Sequence, residues 1–175
     1  MVLCIGDSIK KTVFKCYSEQ EIKEIDISAY FDKLVILVFY PLDFTFVCPT
    51  EILGFSKNKE LFQKEGAVVL LISCDSVYSH KAWMETTSPG NISENTLPLL
   101  SDASGELSRS LGIFVEEEGR SRRATIILQD GKIIYKLVHA DPIGRSSLEA
   151  LRVIKAINFH TKYGDVCPLD WDSKE

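Results

Sequence analysis

Four short stretches of the chain are largely apolar and lie between turn signals: Leu34–Tyr40, Ala67–Ser73, Ala124–Gln129 and Lys132–Val138. Runs of this length predict buried strands rather than helices. Asp130-Gly131 separates the last two, and that dipeptide predicts a tight antiparallel hairpin. Between the first two, a single helix is predicted from Cys48 past Leu61 and Phe62, ending near Gly66 as a left-handed cap. Strand, helix and strand then make a βαβ unit with a right-handed crossover. Further helices are predicted at Ser79–Thr86, Ala103–Leu111 and Ser146–His160. The last opens on Ser146-Ser147-Leu148-Glu149, and its Leu148, Leu151, Ile154 and Ile157 recur at helical spacing. The polar segment Thr87–Leu97 reads as a surface loop and Glu116–Gly119 as a solvated turn. A mixed sheet covered by helices follows, α/β in class.

Composition narrows the function classes. A chain of 175 residues, 45% of them hydrophobic, predicts one ordinary domain with a sizeable core. Net charge is −5, and no basic cluster exceeds Arg120-Ser121-Arg122-Arg123, which argues against nucleic acid as a partner. No stretch approaches the roughly eighteen apolar residues of a membrane span. Met1-Val2-Leu3-Cys4 lacks the basic-then-apolar start of a signal peptide. The five cysteines, at 4, 16, 48, 74 and 167, form no CxxC pair and no metal-type spacing. Such a set fits a reducing compartment, so a cytoplasmic location is expected. Metal binding by His80, His139 and His160 is not expected, because no two stand at ligand spacing with carboxylate support.

The candidate chemistry concentrates in Phe39-Tyr40-Pro41-Leu42-Asp43-Phe44-Thr45-Phe46-Val47-Cys48-Pro49-Thr50-Glu51. A buried strand breaks at Pro41, and Cys48 stands just before a proline suited to a first helical turn. A thiol there meets unpaired backbone N–H groups and the positive end of the helix dipole, which favour thiolate. Many free cysteines are merely small buried hydrophobes, but the neighbours argue for reactivity. Thr45 can aim its hydroxyl at the sulfur or at a bound oxygen. Pro41 lacks an N–H and stiffens the shielding loop. Glu51 can hold a nearby arginine, or serve only as a favourable first-turn carboxylate.

The Pro41-xxx-Thr45-xx-Cys48 spacing resembles the peroxidatic motif of the peroxiredoxins, and the longer match resembles their typical two-cysteine subfamily, which includes the bacterial alkyl hydroperoxide reductase C proteins. The resemblance covers about residues 30 to 171; Ile5–Ile27 departs from it and its local structure stays open. It implies a thioredoxin-like fold, with a domain over residues 1–161 and a C-terminal tail over 162–175. It also implies a peroxidase that uses no metal, haem or other cofactor, reducing hydrogen peroxide and organic hydroperoxides through a sulfenic acid on Cys48. A family arginine at a strand start matches Arg123, with Arg122 as the competing register, and Arg145 matches a position near the active site or is a surface residue before a helix. Asp165-Val166-Cys167-Pro168 resembles the resolving-cysteine segment. There the second thiol attacks the sulfenic acid of a partner subunit, which implies a head-to-tail homodimer with Cys48–Cys167 disulfides, and in some members a decamer of five dimers. The electron donor would be thioredoxin or a flavoprotein disulfide reductase.

Trp83 matches a family aromatic that packs near the site. Cys74 is expected to be a packed core thiol, and Cys4 and Cys16 match no family position. Two departures bear on chemistry: Ser88–Ser93 stands where overoxidation-sensitive members carry a Gly-Gly-Leu-Gly loop, and the chain stops four residues after Trp171 without their C-terminal helix. Easier local unfolding, and resistance of Cys48 to sulfinic acid formation, are therefore expected. Two other readings use the same fold: a disulfide reductase, weakened by the missing CxxC, and a holdase chaperone or redox adaptor.

Overall fold

A computed structural model describes residues 2–172; Met1 and the end of the expected tail, 173–175, lie outside the described residues. Residues 5–27, whose sequence indicates no particular local structure, hold an antiparallel hairpin, β1 (Val13–Ser18) and β2 (Glu21–Asp26). Its turn residues, Glu19 and Gln20, both take positive φ, 55° and 64°. Neither is the glycine or asparagine that normally announces such a turn, so the hairpin carried no sequence signal.

β3 (Leu34–Phe39) is buried at all six positions, and β4 (Ala67–Ser73) pairs parallel to it from Leu34↔Ala67 to Phe39↔Ile72. The connection differs from the single helix expected. α1 (Cys48–Lys57) and α2 (Lys59–Lys64) are separate, and Asn58 closes α1 by donating its N–H to the Phe55 carbonyl at 3.2 Å. Gly66 does take the expected left-handed conformation, at φ +68°.

α3 (Val77–Glu85) starts two residues earlier than its pattern indicated, because Ser76 accepts from the Ser79 N–H as its cap. β5 (Leu99–Ser101) then adds parallel to β4. α4 (Glu106–Ser110) is shorter than the predicted Ala103–Leu111. Gly105 at φ +66° breaks the start, and the Asp102 carboxylate takes the Leu107 and Ser108 N–H groups at 3.3 and 2.8 Å.

β6 (Phe114–Val115) and β7 (Arg120–Ser121) form a small separate ribbon around the Glu116–Gly119 turn. β8 (Arg123–Gln129) and β9 (Lys132–His139) are the expected hairpin, with Asp130 and Gly131 both at positive φ, 51° and 74°. α5 (Ser147–Tyr163) is capped by Ser146 and ends on left-handed Gly164, so the helix runs three residues past His160 into the expected tail. Its buried stripe is Ala150, Leu151, Val153 and Ile154; Leu148, expected to share it, is 61% exposed.

The main sheet has the order β2-β1-β5-β4-β3-β8-β9, mixed parallel and antiparallel. Alternation along β3 sends Leu34, Ile36 and Val38 into a core under α1, α2 and α5, while Val35, Leu37 and Phe39 enter a second core on the other face. Each fully buried anchor of α1, Ile52 and Phe55, contributes on the order of 1.5–3 kcal/mol. That burial fixes α1 at the carboxyl end of β3. Among the described residues, no helix is long and apolar enough to cross a membrane.

Candidate active site

Cys48 is the first residue of α1, with its side chain 1% exposed. Pro49 follows it in the first turn, and Val47, the preceding residue, supplies no side-chain cap. The Cys48 N–H has no hydrogen-bond partner among the described residues. It points from a helix start, where a backbone donor is available to an anion.

The loop ahead of Cys48 is braced from beneath. Tyr40 donates its hydroxyl to Asp43 Oδ1 at 2.9 Å, and Asp43 Oδ2 lies 2.8 Å from His80 Nδ1. The Asp43 N–H reaches Asp75 Oδ2 at 3.0 Å. Burial pushes the Tyr40 hydroxyl well up, and Asp43 adds to it; burial and then Asp43 also push the Asp75 carboxyl up. Trp83 donates Nε1–H to the Gly90 carbonyl at 3.0 Å, with its ring 6.2 Å from that of Tyr40 and 5.7 Å from that of Phe44. Phe44 itself stands at φ 55°, a conformation costing a non-glycine residue about 1–3 kcal/mol, so packing and hydrogen bonds must hold the loop.

Pro41 is buried and Thr45 half-buried. The Thr45 hydroxyl donates to the Leu42 carbonyl at 3.0 Å rather than to the sulfur. Its oxygen is thereby oriented by the loop, and the sulfur's polar partner is a guanidinium instead. Arg123, the first residue of β8, places Nη1 3.8 Å from Cys48 Sγ and is itself buried. Arg122, one residue ahead of β8, is exposed, whereas Arg123 is buried against the sulfur, which separates the two registers.

Glu51 does more than sit in a first helical turn. Its Oε2 accepts from Arg123 Nη1, and its Oε1 accepts from the Arg145 backbone N–H at 2.8 Å and from Arg145 Nε at 2.9 Å. Arg145 is not a surface residue. It also donates Nη1 to the Ala124 carbonyl, and burial pulls its guanidinium down despite the Glu51 carboxylate beside it. Arg123 completes its set on the Asp141 carbonyl, through Nε at 3.3 Å and Nη2 at 2.9 Å. Of the five N–H groups of a guanidinium, four are thus engaged among the described residues, and one on Nη2 remains for a guest.

Cys167 lies elsewhere, half-buried in a groove between α5 and β9, with Sγ 3.5 Å from the Ala156 carbonyl. The groove encloses about 1020 Å³ and is lined largely by apolar side chains, among them Ile134, Ile157, Val166 and Leu169. Cys48 and Cys167 are both free thiols. Cys16 is buried in β1 and Cys4 is exposed. Cys74 is half-buried rather than in the core, because it falls one residue beyond β4 on a bend beside Ser108; burial pushes its thiol up.

Sequence reasoning brought Cys48, Arg123, Glu51 and Arg145 to one place. It missed Asp141, whose contribution is a backbone carbonyl and leaves no residue-type signal. It also passed over the Asp43–His80 pair; the spacing of Tyr40 and Asp43 was its only local sign.

The AhpC/TSA family matches residues 5–136. A thioredoxin peroxidase of Fasciola hepatica is 42% identical over 157 residues, 89% of this chain and 81% of its own length. The reduced 2-Cys peroxiredoxin of Plasmodium vivax superposes with a TM-score of 0.93 at 35% identity, covering 98% of this chain and 90% of that one. AhpC of Enterococcus faecalis superposes with a TM-score of 0.88 at 32% identity, covering 96% and 100%. The fold is therefore the thioredoxin-like one of these proteins.

Proposed function

This chain belongs to the AhpC/TSA family of peroxiredoxins, and from that premise we propose that it is a thiol-dependent peroxidase acting through Cys48 on hydrogen peroxide and organic hydroperoxides. The observation that carries the reading is the buried Cys48 sulfur at a helix start with Arg123 Nη1 3.8 Å away. A cationic donor beside the sulfur stabilises it as an anion, and the same fork reaches the oxygens of a bound peroxide. The Cys48 thiolate attacks the terminal peroxide oxygen and the O–O bond breaks. The leaving oxygen takes a proton as water or alcohol, and the sulfur becomes a sulfenic acid. Charge on the leaving oxygen is met by the uncommitted Arg123 N–H and the free Cys48 N–H, the preorganised donors that such a step requires. Pro41 and Thr45 shape the loop side of the pocket, while Glu51 and Arg145 hold Arg123.

The second step uses Cys167 of a partner subunit. Its thiolate attacks the sulfenic sulfur, water leaves, and an intersubunit disulfide forms. Cys48 is buried, so the first turn of α1 must unwind for the sulfurs to meet. A homodimer is supported by the apolar groove around Cys167 and by the position of β9 at the end of the sheet; assembly of five dimers into a decamer is the larger form proposed. A thioredoxin-type donor, as the relative's name indicates for that protein, or a flavoprotein disulfide reductase then restores both thiols. The scattered cysteines fit work in the cytoplasm.

Mixed with one equivalent of hydrogen peroxide, the wild-type protein is expected to run as a dimer on non-reducing gels and as a monomer after dithiothreitol. Cys167→Ser is expected to abolish that dimer while still consuming one equivalent of peroxide. A covalent dimer persisting in Cys167→Ser with Cys48 intact would overturn the resolving assignment. Wild-type protein that consumes no peroxide would overturn the function.

A further inference from the structure

Arg120 has no place in the chemistry above, yet it is only 9% exposed in the two-residue strand β7. Its Nε donates to Glu118 Oε2 and its Nη2 to Asp141 Oδ2, both at 2.6 Å. The strand is held against the site, since the Ser121 hydroxyl donates to the Tyr40 carbonyl at 3.1 Å, directly beyond β3. The solvated turn expected at Glu116–Gly119 therefore also supplies a carboxylate that orients this arginine.

Asp141 links Arg120 to the sulfur. Its backbone carbonyl takes two N–H groups of Arg123, while its carboxylate is paired, among the described residues, with Arg120 alone. The other carboxylate oxygen, Oδ1, is buried with no hydrogen-bond partner among the described residues. An unneutralised carboxylate at this position would compete for the Arg123 guanidinium. Both acceptors are met by a charged guanidinium, but a carboxylate oxygen accepts at about 2.7–2.9 Å and can bind the fork through two oxygens, whereas the sulfur stands 3.8 Å away, so the sulfur would lose that competition. Arg122 cannot take over, because it faces solvent.

We infer that Arg120 is a positioning residue: by neutralising Asp141 it keeps the Arg123 guanidinium turned toward Cys48. The inference rests on the peroxidase reading and deepens it. Arg120→Gln leaves Asp141 unpaired and is expected to slow attack of Cys48 on peroxide about tenfold, with disulfide formation from the sulfenic acid unchanged. Arg120→Lys, which keeps the charge, is expected to stay within about threefold of wild type. The decisive variant is Arg120→Gln/Asp141→Asn, in which no stray carboxylate remains. Competition predicts recovery to within about threefold of wild type, whereas loss of a merely structural contact predicts a double variant no faster than Arg120→Gln.

The measurement is stopped-flow reaction of each reduced protein with hydrogen peroxide, with thermal unfolding run beside it. A wild-type rate for Arg120→Gln, or no recovery in the double variant, overturns the positioning role while leaving the peroxidase reading intact. Inert wild-type protein overturns the peroxidase reading itself, and the positioning role with it.

Discussion

Arg123→Gln is expected to slow the reaction of Cys48 with hydrogen peroxide by about 100- to 1,000-fold, the usual cost of removing one preorganised donor from a developing anion. Glutamine is shorter and neutral, so it stabilises neither the sulfur 3.8 Å from Nη1 nor the leaving oxygen. Arg123→Lys tests geometry against charge. An ammonium on a flexible stem cannot hold Glu51, the sulfur and the Asp141 carbonyl together, as the guanidinium does. Its rate is therefore expected to fall nearer to Arg123→Gln than to wild type. Cys48→Ser sets the floor, with no consumption of peroxide at all. Second-order constants from stopped-flow mixing decide the matter, with thermal unfolding as the check on folding. A loss of less than threefold in Arg123→Gln, with wild type active, would remove Arg123 from the chemistry.

The site was legible where residue type and local periodicity set it. Cys48 and Glu51 stand three apart at the start of α1, so both face the end of β3, and the motif names them together. Arg123 and Arg122 are separated only by where β8 begins, since the strand starts at Arg123 and leaves Arg122 exposed ahead of it. Thr45 illustrates the limit. Its position was evident, but the direction of its hydroxyl depends on the loop path, where Phe44 occupies a conformation few residues adopt. The same limit hid the β1–β2 hairpin, whose turn uses Glu19 and Gln20 at positive φ. It also hid the division of α1 from α2, where Asn58 is a weak breaker that packing allows to act as a cap. Backbone groups were invisible throughout: the Asp141 carbonyl beneath Arg123 could be found only in three dimensions.

Glu51 carries the largest expected effect on stability. Its carboxylate is 3% exposed and faces two guanidinium groups, Arg123 and Arg145, whose side chains are 3% and 2% exposed. A buried triad of this kind adds little net stability compared with apolar packing, but removing one member leaves its partners uncompensated. In Glu51→Ala two buried cations lose their common anion and repel one another. The Arg145 backbone N–H, which donates to Glu51 Oε1 at 2.8 Å, also loses its acceptor. The expected cost is about 3–5 kcal/mol, or a fall in Tm of roughly 10 °C for a domain of this size. Glu51→Gln keeps an acceptor and the packing but removes the charge, so its loss should be smaller. Peroxide attack should nevertheless slow in both variants, because Arg123 is no longer fixed beside the sulfur. Chemical denaturation of the reduced proteins gives the stability change, and stopped-flow mixing gives the rate. A change below about 1 kcal/mol in Glu51→Ala would mean that water enters to solvate the arginines, and that the triad is not the rigid frame on which the placement of Arg123 depends.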